Sequence, residues 1–420
     1  MRSSYFGFWG KVLSDFPGFR NLCLGQAVYF FGCETWTFAI SFVIIGLKGG
    51  ADWVGIANTA RILPLLLFSA FIGHIVDRRS PKRVLFASVA VRVILYAAMA
   101  ALGFAGGLSL PLVAVFLFLA SIFEAGHDVS ILAYIPGLVE RKSIVYANAI
   151  WGALFAVIVG FISAPSSGYL VEGLGHYGVL IIYVCLLAVF LLIIRRIPDV
   201  SAKKEDAAAS KGALQDYLAW LKSGNQDAKI LLWAITISTL ILLGSFFVNV
   251  HFVFYCASKL GYKPHAIGLM MLVAGFGQVV GSFAFPYLSR FFKLQSLMAL
   301  FGLLPAVGLL ILALTAHPIG LMAGLFLTMG IGNRLLKNMR VTLCHILSPG
   351  NLMGFMTGVM VTTGFIALFG ASIIGGYLAK NFSHSLVYLV FSVLCFACVT
   401  VVLVSNYAKE IYIEKGISTP

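Results

Sequence analysis

GHIVDRRSPKR, residues 73–83, is a short basic segment that separates two apolar runs, 53–76 and 83–107. Each run is long enough to cross a lipid bilayer as a helix, which takes about 20 residues. Clustered Lys and Arg in a short loop between two such runs are typical of the cytoplasmic side of a membrane. The segment therefore predicts two membrane-spanning helices that are joined by a cytoplasmic loop.

The rest of the chain repeats this pattern of apolar runs and polar breaks. Of its 420 residues, 60% are hydrophobic and only 10% are charged, and the mean hydropathy is +0.99. A soluble domain carries about 25% charged residues, so the composition excludes a water-soluble enzyme with a single buried core. We predict an all-α polytopic membrane protein with twelve transmembrane helices in two six-helix halves. The predicted spans are 20–47, 53–76, 83–107, 109–136, 144–171, 177–197, 230–258, 265–288, 295–316, 319–343, 352–379 and 384–407.

Membrane topology explains the net charge of +14. When both termini are placed in the cytoplasm, the cytoplasmic segments hold 20 of the 29 Lys and Arg residues, and the outer loops hold four. This asymmetry orients the chain by the positive-inside rule and gives no reason to expect a nucleic-acid partner. The first twenty residues lack the apolar core and cleavage site of a signal peptide. We therefore expect span 1 to be retained in a multi-pass protein of the inner (cytoplasmic) membrane.

A polar stretch at residues 198–229 divides the spans six and six. We expect an N-terminal half, 1–197, a cytoplasmic linker, 198–229, and a C-terminal half, 230–420. Two six-span halves are the plan of one large transporter fold. Within the linker, four residues recur at helical spacing and predict an amphipathic helix on the inner membrane surface: Leu214, Tyr217, Leu218 and Leu221.

The sequence offers no motif for catalysis or nucleotide use. It has no Gly-rich loop that ends in Lys-Ser or Lys-Thr, so ATP is not expected to be the direct energy source. No Ser-His-Asp or Cys-His arrangement is apparent from the spacing. The seven cysteines are spread through apolar segments and suggest no pairing. We predict that the protein is not an enzyme and needs no cofactor.

Several ionisable residues lie inside the predicted spans of the first half, where they are costly and mark candidate functional sites. Three carboxylates against two arginines leave one surplus carboxylate, which is suited to binding and releasing a proton. The residues predicted to couple protons are Glu34, Glu124 and Asp128. The residues predicted to form a structural ion-pair network are Arg61, Arg92 and His127. A purely structural role for all six is the alternative.

The same region offers a metal-binding alternative. Glu124, His127 and Asp128 supply oxygen and nitrogen ligands within one helical turn. Three ligands so close on one rigid helix do not converge on one ion without help from another helix. We therefore predict no metal site.

The second half differs, because it contains no Asp or Glu between Asp227 and Glu410. It presents only neutral or positive groups to a substrate, which favours anions or polar, oxygen-rich ligands. The residues that we predict to contact the substrate are Asn333 and Arg334 in span 10 and Asn249 and His251 in span 7. Lys337 and Arg340 lie nearer the cytoplasmic end of span 10, where cations that extend toward the membrane surface are common.

The loop at 73–83 resembles the first-half cytoplasmic loop of the major facilitator superfamily, which carries G-x-x-x-D-R-x-x-x-K. The matching residues are Gly73, Asp77, Arg78 and Lys82. The resemblance implies the two-halved transporter fold of that superfamily. It also implies a gating latch, in which Asp77 faces the N-terminus of span 11, where a carboxylate interacts favourably with the helix dipole.

Span 5 resembles the antiporter motif of the same superfamily, G-x-x-x-G-P-x-x-G-G, which is typical of exporters. The matching positions are Gly160, Ala164, Pro165 and Gly168. Small residues let neighbouring helices approach, and Pro165 is expected to bend the helix. Further likeness, to the branch that contains the enterobactin exporter and macrolide efflux proteins, covers residues 19–26, 60–64 and 135–139.

Together these features predict a secondary active transporter that works by alternating access. We expect proton-coupled export of an amphipathic or anionic small molecule, such as a siderophore or a drug. The expected partners are that substrate, protons and the lipid bilayer, and the protein is expected to be a monomer. An importer of a siderophore or other small solute, a lysophospholipid flippase or a metal transporter would use the same fold. A non-transporting membrane sensor or scaffold is the alternative from another class.

Overall fold

The computed structural model describes residues 12–78, 80–140, 147, 150–151, 154–199, 220, 225–347 and 353–405. Within these ranges the chain is helical and contains no β-strand. In chain order the elements are α1 (Pro17–Gly46), α2 (Ala51–Arg78), α3 (Pro81–Phe104), α4 (Leu110–Leu138), a first π-helix (Ala156–Ser163), α5 (Ala164–Arg196), α6 (Gln226–Ser258), α7 (Pro264–Phe291), α8 (Leu294–Leu314), α9 (Pro318–Leu325), a second π-helix (Phe326–Gly332), α10 (Asn333–Leu347), α11 (Met353–Asn381) and α12 (His384–Val404).

Ten stretches of the described chain are long and apolar enough to cross a membrane. One of them, Val157–Arg196, covers two predicted spans, because the backbone turns at Gly175, whose φ is 70°. The helix α2 matches the second predicted span but is not among the ten. The prediction of an all-helical, polytopic membrane protein is confirmed, whereas the count of twelve spans remains a prediction.

Proline and short polar side chains set the beginnings of many helices. Proline occupies the first or second position of α1, α3, α4, α5 and α9. There its missing N–H group costs no hydrogen bond and its fixed φ suits a helix. The side chain of Ser383 accepts from the backbone N–H of Leu386 at the start of α12, at 3.2 Å. Such local signals explain why the observed helix ends lie close to the predicted polar breaks.

Contacts divide the chain into two compact units. Unit 1 comprises Met1–Glu205 and Tyr262–Leu269, and unit 2 comprises Asp206–Gly261 and Met270–Pro420. The predicted linker helix, with Leu214, Tyr217, Leu218 and Leu221, lies outside the described residues. The predicted boundaries at 198 and 229 therefore stay a prediction.

In unit 1, α1 packs along α5, and α4 contacts both α2 and α3. Glycines on α1 permit the first of these contacts. A Cβ at Gly25 would lie 2.7 Å from the ring of Phe190, and a Cβ at Gly32 would lie 2.9 Å from the ring of Tyr183. The close approach brings the polar side chains of α1, α3 and α5 within reach of one another.

In unit 2, α8 packs along α12, and α6 contacts α10, α11 and α12. The Ser392 hydroxyl on α12 donates to the carbonyl oxygen of Ala306 on α8 at 2.8 Å. The helices α9 and α10, with the second π-helix between them, follow one another without a gap. They form one apolar stretch, Pro318–Cys344, that is long enough to span a membrane.

Candidate functional site

Arg92, on α3, lies at the centre of a buried polar network in unit 1. Its side chain is 0% exposed, and its guanidinium donates hydrogen bonds to the hydroxyl oxygens of Tyr183 and, at 2.8 Å, of Tyr29. Three tyrosine rings have their centroids 5.3–6.0 Å from the guanidinium carbon: Tyr29, Tyr96 and Tyr183. Rings at this distance stabilise a cation. Side chains of α1, α3 and α5 therefore hold this charge together.

Glu124, on α4, lies between two arginines. Its Oε2 is 3.4 Å from a guanidinium nitrogen of Arg92, and its Oε1 is 3.9 Å from one of Arg61. The Cys33 thiol points at Oε1 across 3.9 Å. The Glu124 side chain is only 13% exposed, and a charge removed from water to this degree needs partners. The structure thus brings together one predicted coupling residue and two predicted network arginines.

Glu34, next to Cys33 on α1, is the second carboxylate near these arginines. It lies within electrostatic range of Arg61 and Glu124, although no hydrogen bond or salt bridge to it is formed within the described ranges. Two carboxylates then stand against two arginines. The formal charges of these four side chains therefore balance. The surplus carboxylate predicted from the sequence is that of Asp128, which does not contact either arginine.

Asp128 pairs with its neighbour His127 instead of with an arginine. The Nδ1 atom of His127 is 2.8 Å from the Asp128 carboxylate, and its Nε2 atom is 2.8 Å from the side-chain nitrogen of Gln26. Because the Gln26 nitrogen can only donate, Nε2 accepts, and Nδ1 carries the proton that is donated to Asp128. The imidazole also stacks on Tyr29 with 3.9 Å between ring centroids. Through Tyr29 it adjoins the Arg92 network.

These contacts direct the potential metal ligands of α4 to different partners. Glu124 faces the arginines, and Asp128 faces His127. Within the described ranges, no three His, Cys, Asp or Glu side chains are grouped so as to hold a metal ion. The arrangement suits ion pairing and proton exchange.

Sequence reasoning missed Gln26, Tyr29, Cys33 and Tyr183 as members of the network. The first three recur at intervals of three and four residues, which places them along one side of α1. That periodicity of polar groups in an apolar span is a signal that could have identified them. Tyr183 has no comparable signal, because a single tyrosine in a membrane helix is common.

The antiporter-like motif coincides with a change of helix type. Gly160 lies in the first π-helix, and α5 begins at Ala164 with Pro165 next. The Ser163 hydroxyl donates to the carbonyl oxygen of Ile158, five residues earlier, at 2.8 Å. The sequence predicts a simple bend at Pro165, whereas in the structure Pro165 starts a regular α-helix after a π-helical segment. Short π-helical turns are frequent at functional sites.

Small residues of this motif allow α5 to touch the first turn of α7, within unit 1. A Cβ at Gly168 would collide with the carbonyl oxygen of Pro264. A Cβ at Gly268 would lie 2.6 Å from the carbonyl oxygen of Ala164. Both glycines are therefore required by the close approach of two backbones. Any larger residue at either position must push α5 and the first turn of α7 apart.

A polar contact lies beside these glycines. The Nδ1 atom of His265 is hydrogen-bonded to the Glu172 carboxylate, and the His265 ring stacks on Tyr169 with 5.5 Å between centroids. Neither Glu172 nor His265 was a predicted site residue. A lone acid and a lone histidine near the ends of spans have no distinctive spacing, so only the fold reveals that they meet.

The latch motif is described only in part. The helix α2 includes Gly73 and extends to Arg78, but the side chains of Asp77 and Arg78 lie outside what the structure describes. Lys82 donates to the carbonyl oxygens of Ile197, at 2.5 Å, and Arg195, at 3.2 Å. A cation here satisfies carbonyls that α5 leaves unpaired at its end. Lys82 therefore joins α3 to α5, and the latch itself remains a prediction.

The predicted substrate residues of α10 lie next to the second π-helix. Arg334 donates from Nε to the hydroxyl oxygen of Ser282 on α7 at 2.7 Å. The side-chain oxygen of the adjacent Asn333 is buried without a hydrogen-bond partner. A Cβ at Gly281 would lie 3.0 Å from Cβ of Arg334. The absence of a side chain at Gly281 therefore leaves space for Arg334.

The predicted substrate residues of α6 have different surroundings. Asn249 is exposed. His251 is fully buried, and its ring centroid lies 4.8 Å from that of Phe247. The structure leaves Asn249 accessible to a ligand, whereas His251 is enclosed among side chains of unit 2.

A family model described as the Major Facilitator Superfamily matches residues 22–372 of the chain. The match covers more than half of the sequence and includes helices of both units. Among curated protein sequences, none is significantly similar to this chain.

Several solved structures of transporters share the fold. A bacterial homologue of the iron transporter ferroportin in an inward-facing state is similar with a TM-score of 0.73 and 15% identity, over 92% of this chain and 98% of that one. The nucleoside transporter NupG is similar with a TM-score of 0.71 and 14% identity, over 93% of this chain and 100% of that one. A bacterial homologue of the human lysosomal transporter Spinster, inward-facing and unoccupied, is similar with a TM-score of 0.67 and 14% identity, over 96% of each chain. At such low identity the likeness is one of fold alone.

Proposed function

The chain belongs to the major facilitator superfamily, and from this premise we propose that it is a proton-coupled exporter of an amphipathic or anionic small molecule. Its fold is that of multi-pass membrane transporters, which are not enzymes. Siderophores and hydrophobic drugs are the substrate classes that we favour. The charge asymmetry of the loops supports an inner-membrane location with both termini in the cytoplasm.

The observation that carries this proposal is the buried position of Glu124 between Arg61 and Arg92. Protonation of Glu124 removes its attraction for both guanidiniums, so that the buried Arg92 loses its carboxylate partner and Arg61 retains only Glu34 within electrostatic range. Such a change is costly unless the helices rearrange. Binding of a proton is therefore linked to movement of α2, α3 and α4, which is what a proton-driven cycle of alternating access requires.

His127 and Asp128 supply an entry point for the proton. The Asp128 side chain is 53% exposed, and His127 is buried behind it. A protonated His127 donates from both ring nitrogens, so its Nε2 needs an acceptor in place of the Gln26 amide nitrogen. The Gln26 side-chain oxygen is buried without a hydrogen-bond partner, and rotation of the amide would supply that acceptor. In this proposal, protonation of His127 is linked to rotation of the Gln26 amide on α1.

The antiporter-like motif supports export as the direction of transport. Import of a small solute on the same fold is the alternative, and the two directions predict opposite changes in the medium. We would compare the small molecules of cytosol and medium by mass spectrometry, in native-host cells with and without the gene, under iron limitation. Export predicts a compound that accumulates inside and vanishes from the medium on deletion. A compound that instead remains in the medium of the deletion strain would indicate import.

Proton coupling is tested in proteoliposomes that contain the compound so identified. An inward proton gradient is expected to drive its transport by the parent protein, and a variant with Glu34→Gln, Glu124→Gln and Asp128→Asn is expected to lose that dependence. Asp227→Asn, which neutralises an acid at the start of α6, is the control and should transport like the parent. Unchanged gradient-driven transport by the triple variant would contradict the coupling role. A parent protein that moves no solute would favour a sensor or scaffold.

A further inference from the structure

Three cations follow one another along α10 at intervals of three residues: Arg334, Lys337 and Arg340. The sequence between Asp227 and Glu410 contains no acidic residue, so Asp227, in the first turn of α6, is the one carboxylate that α6–α12 contain. Ionisable groups inside membrane helices are costly unless they are paired or face a water-filled cavity. The partner of each cation therefore indicates what that cation does.

Arg340 has a structural partner on α11. Its side chain is 4% exposed, and its guanidinium donates to the Thr363 hydroxyl at 2.8 Å and to the carbonyl oxygen of Met360 at 3.1 Å. These bonds join α10 to α11. Arg340 is thus occupied within unit 2.

Arg334 is held at one edge only. Its Nε bonds to the Ser282 hydroxyl, and its two terminal nitrogens form no hydrogen bond or ion pair with any described residue. A guanidinium fixed in this way presents a pair of parallel donors, the geometry that matches a carboxylate or a phosphate.

Lys337 is exposed, and its ammonium lies 5.6 Å from the centroid of the Phe246 ring on α6. No carboxylate or hydrogen-bond acceptor pairs with it in the described ranges. Phe246 and the exposed Asn249 are three residues apart, so they share one side of α6. Lys337 is seven residues from the end of its apolar stretch at Cys344, a depth of about 10 Å. A cation at this depth without a counter-charge points to a ligand that supplies one.

We propose that Arg334, Lys337 and Asn249 form an anion-binding site of unit 2, and that the transported substrate is an organic anion. The inference rests on the proposed transport function and narrows its substrate class. The free edge of Arg334 and the Lys337 ammonium bind the carboxylate, and the Asn249 amide donates to it. The Phe246 ring packs on the apolar part of the ligand next to the carboxylate. Lys337 is the residue that selects the negative charge.

The test measures binding of benzoate and of its uncharged analogue benzamide, by calorimetry, to the full-length protein in phosphatidylcholine nanodiscs. The parent protein is expected to bind benzoate and to show no measurable binding of benzamide. Lys337→Gln is expected to weaken benzoate binding about tenfold, whereas Lys337→Arg keeps the charge and most of the affinity. Lys259→Gln is the matched control, since Lys259 is an exposed lysine at the end of α6. That variant should bind benzoate like the parent.

Two outcomes would overturn the anion site. One is equal benzoate affinity of Lys337→Gln and the parent, which is expected if Lys337 only extends toward the membrane surface. The other is a parent protein that binds none of benzoate, succinate and inorganic phosphate. Neither result contradicts the proposal of proton-coupled export, because binding is measured without a proton gradient. Conversely, normal benzoate binding together with gradient-independent transport would remove the proposed coupling and leave the anion site intact.

Discussion

At the scale of single residues, the fold separates groups that look alike in the sequence. Glu124 and Asp128 lie one helical turn apart on α4, yet one faces two arginines and the other faces His127. Arg334 and Arg340 lie six residues apart on α10, yet the first keeps free donors and the second is buried against α11. Rotation around a helix axis decides the partner, and the partner decides the chemistry.

Arg92 gives the most direct prediction at this scale. A lysine at this position keeps the charge but cannot reach Tyr29, Tyr183 and Glu124 together, because its donors radiate from one atom. We expect Arg92→Lys to destabilise the protein by about 2–4 kcal/mol, as expected for a buried charge that loses partners. The measurement is the thermal unfolding midpoint in detergent. Arg196→Lys, at an exposed arginine at the end of α5, is the control and should leave the midpoint unchanged; an equal effect of both variants would contradict the network.

Gln26 gives a second prediction. Gln26→Leu removes the group that donates to His127 and leaves the Nε2 atom of a buried imidazole without its partner. The expected cost is about 1–3 kcal/mol, visible as a lower unfolding midpoint. Gln278→Leu on α7 is the control, because the Gln278 side chain makes no hydrogen bond within the described ranges. If both variants unfold at the parent midpoint, the Gln26–His127 contact does not stabilise the fold.

At the scale of elements, the segment from Ala156 to Gly175 combines three different backbone states. A π-helix passes into an α-helix at Ala164, and the α-helical backbone breaks at Gly175. Between these points, Gly168 touches the first turn of α7. The motif that resembles an antiporter signature therefore works as a contact surface as well as a change in helix geometry.

The prediction at this scale compares two glycines of α5. Gly168→Ala adds a methyl group that collides with the Pro264 carbonyl, so we expect a lower unfolding midpoint and slower transport. Gly173→Ala adds the same group where no atom lies within 4 Å, and it should leave both properties unchanged or raise the midpoint, since alanine favours a helix by about 1 kcal/mol over glycine. Thermal unfolding and proteoliposome transport of the two variants are the measurements. Equal behaviour of the pair would contradict a role for the close approach.

At the scale of the whole molecule, charge distribution predicts orientation. Basic residues are concentrated in every second loop, which predicts by the positive-inside rule that those loops lie in the cytoplasm. The two units also differ in chemistry, since the carboxylates within the described membrane helices belong to the first half of the sequence, apart from Asp227 in the first turn of α6. The proposed proton exchange and the proposed anion binding therefore belong to different units.

Reporter fusions test this orientation. Alkaline phosphatase, which is active only outside the cytoplasm, is expected to be active when fused after Gly261 and inactive when fused after Phe292. A fluorescent protein that folds only in the cytoplasm should be bright when it follows Pro420. The opposite pattern would reverse the topology, and with it the proposed direction of proton movement.

The amino-acid sequence by itself determined the class of the protein and the positions of most helices. A helix that crosses a membrane must satisfy its own backbone and present apolar side chains to lipid, so composition and run length locate it: the prediction 83–107 corresponds to Pro81–Phe104, and 384–407 to His384–Val404. The sequence also identified Glu124 and both arginines, because charges in apolar runs are rare. Only the tertiary structure decided that Tyr29, Tyr183 and Cys33 join them, that Asp128 turns to His127, and that Glu172 meets His265. Those partners come from helices distant in the chain, and their contacts depend on helix rotation and on glycine-permitted spacing, which local residue patterns do not specify.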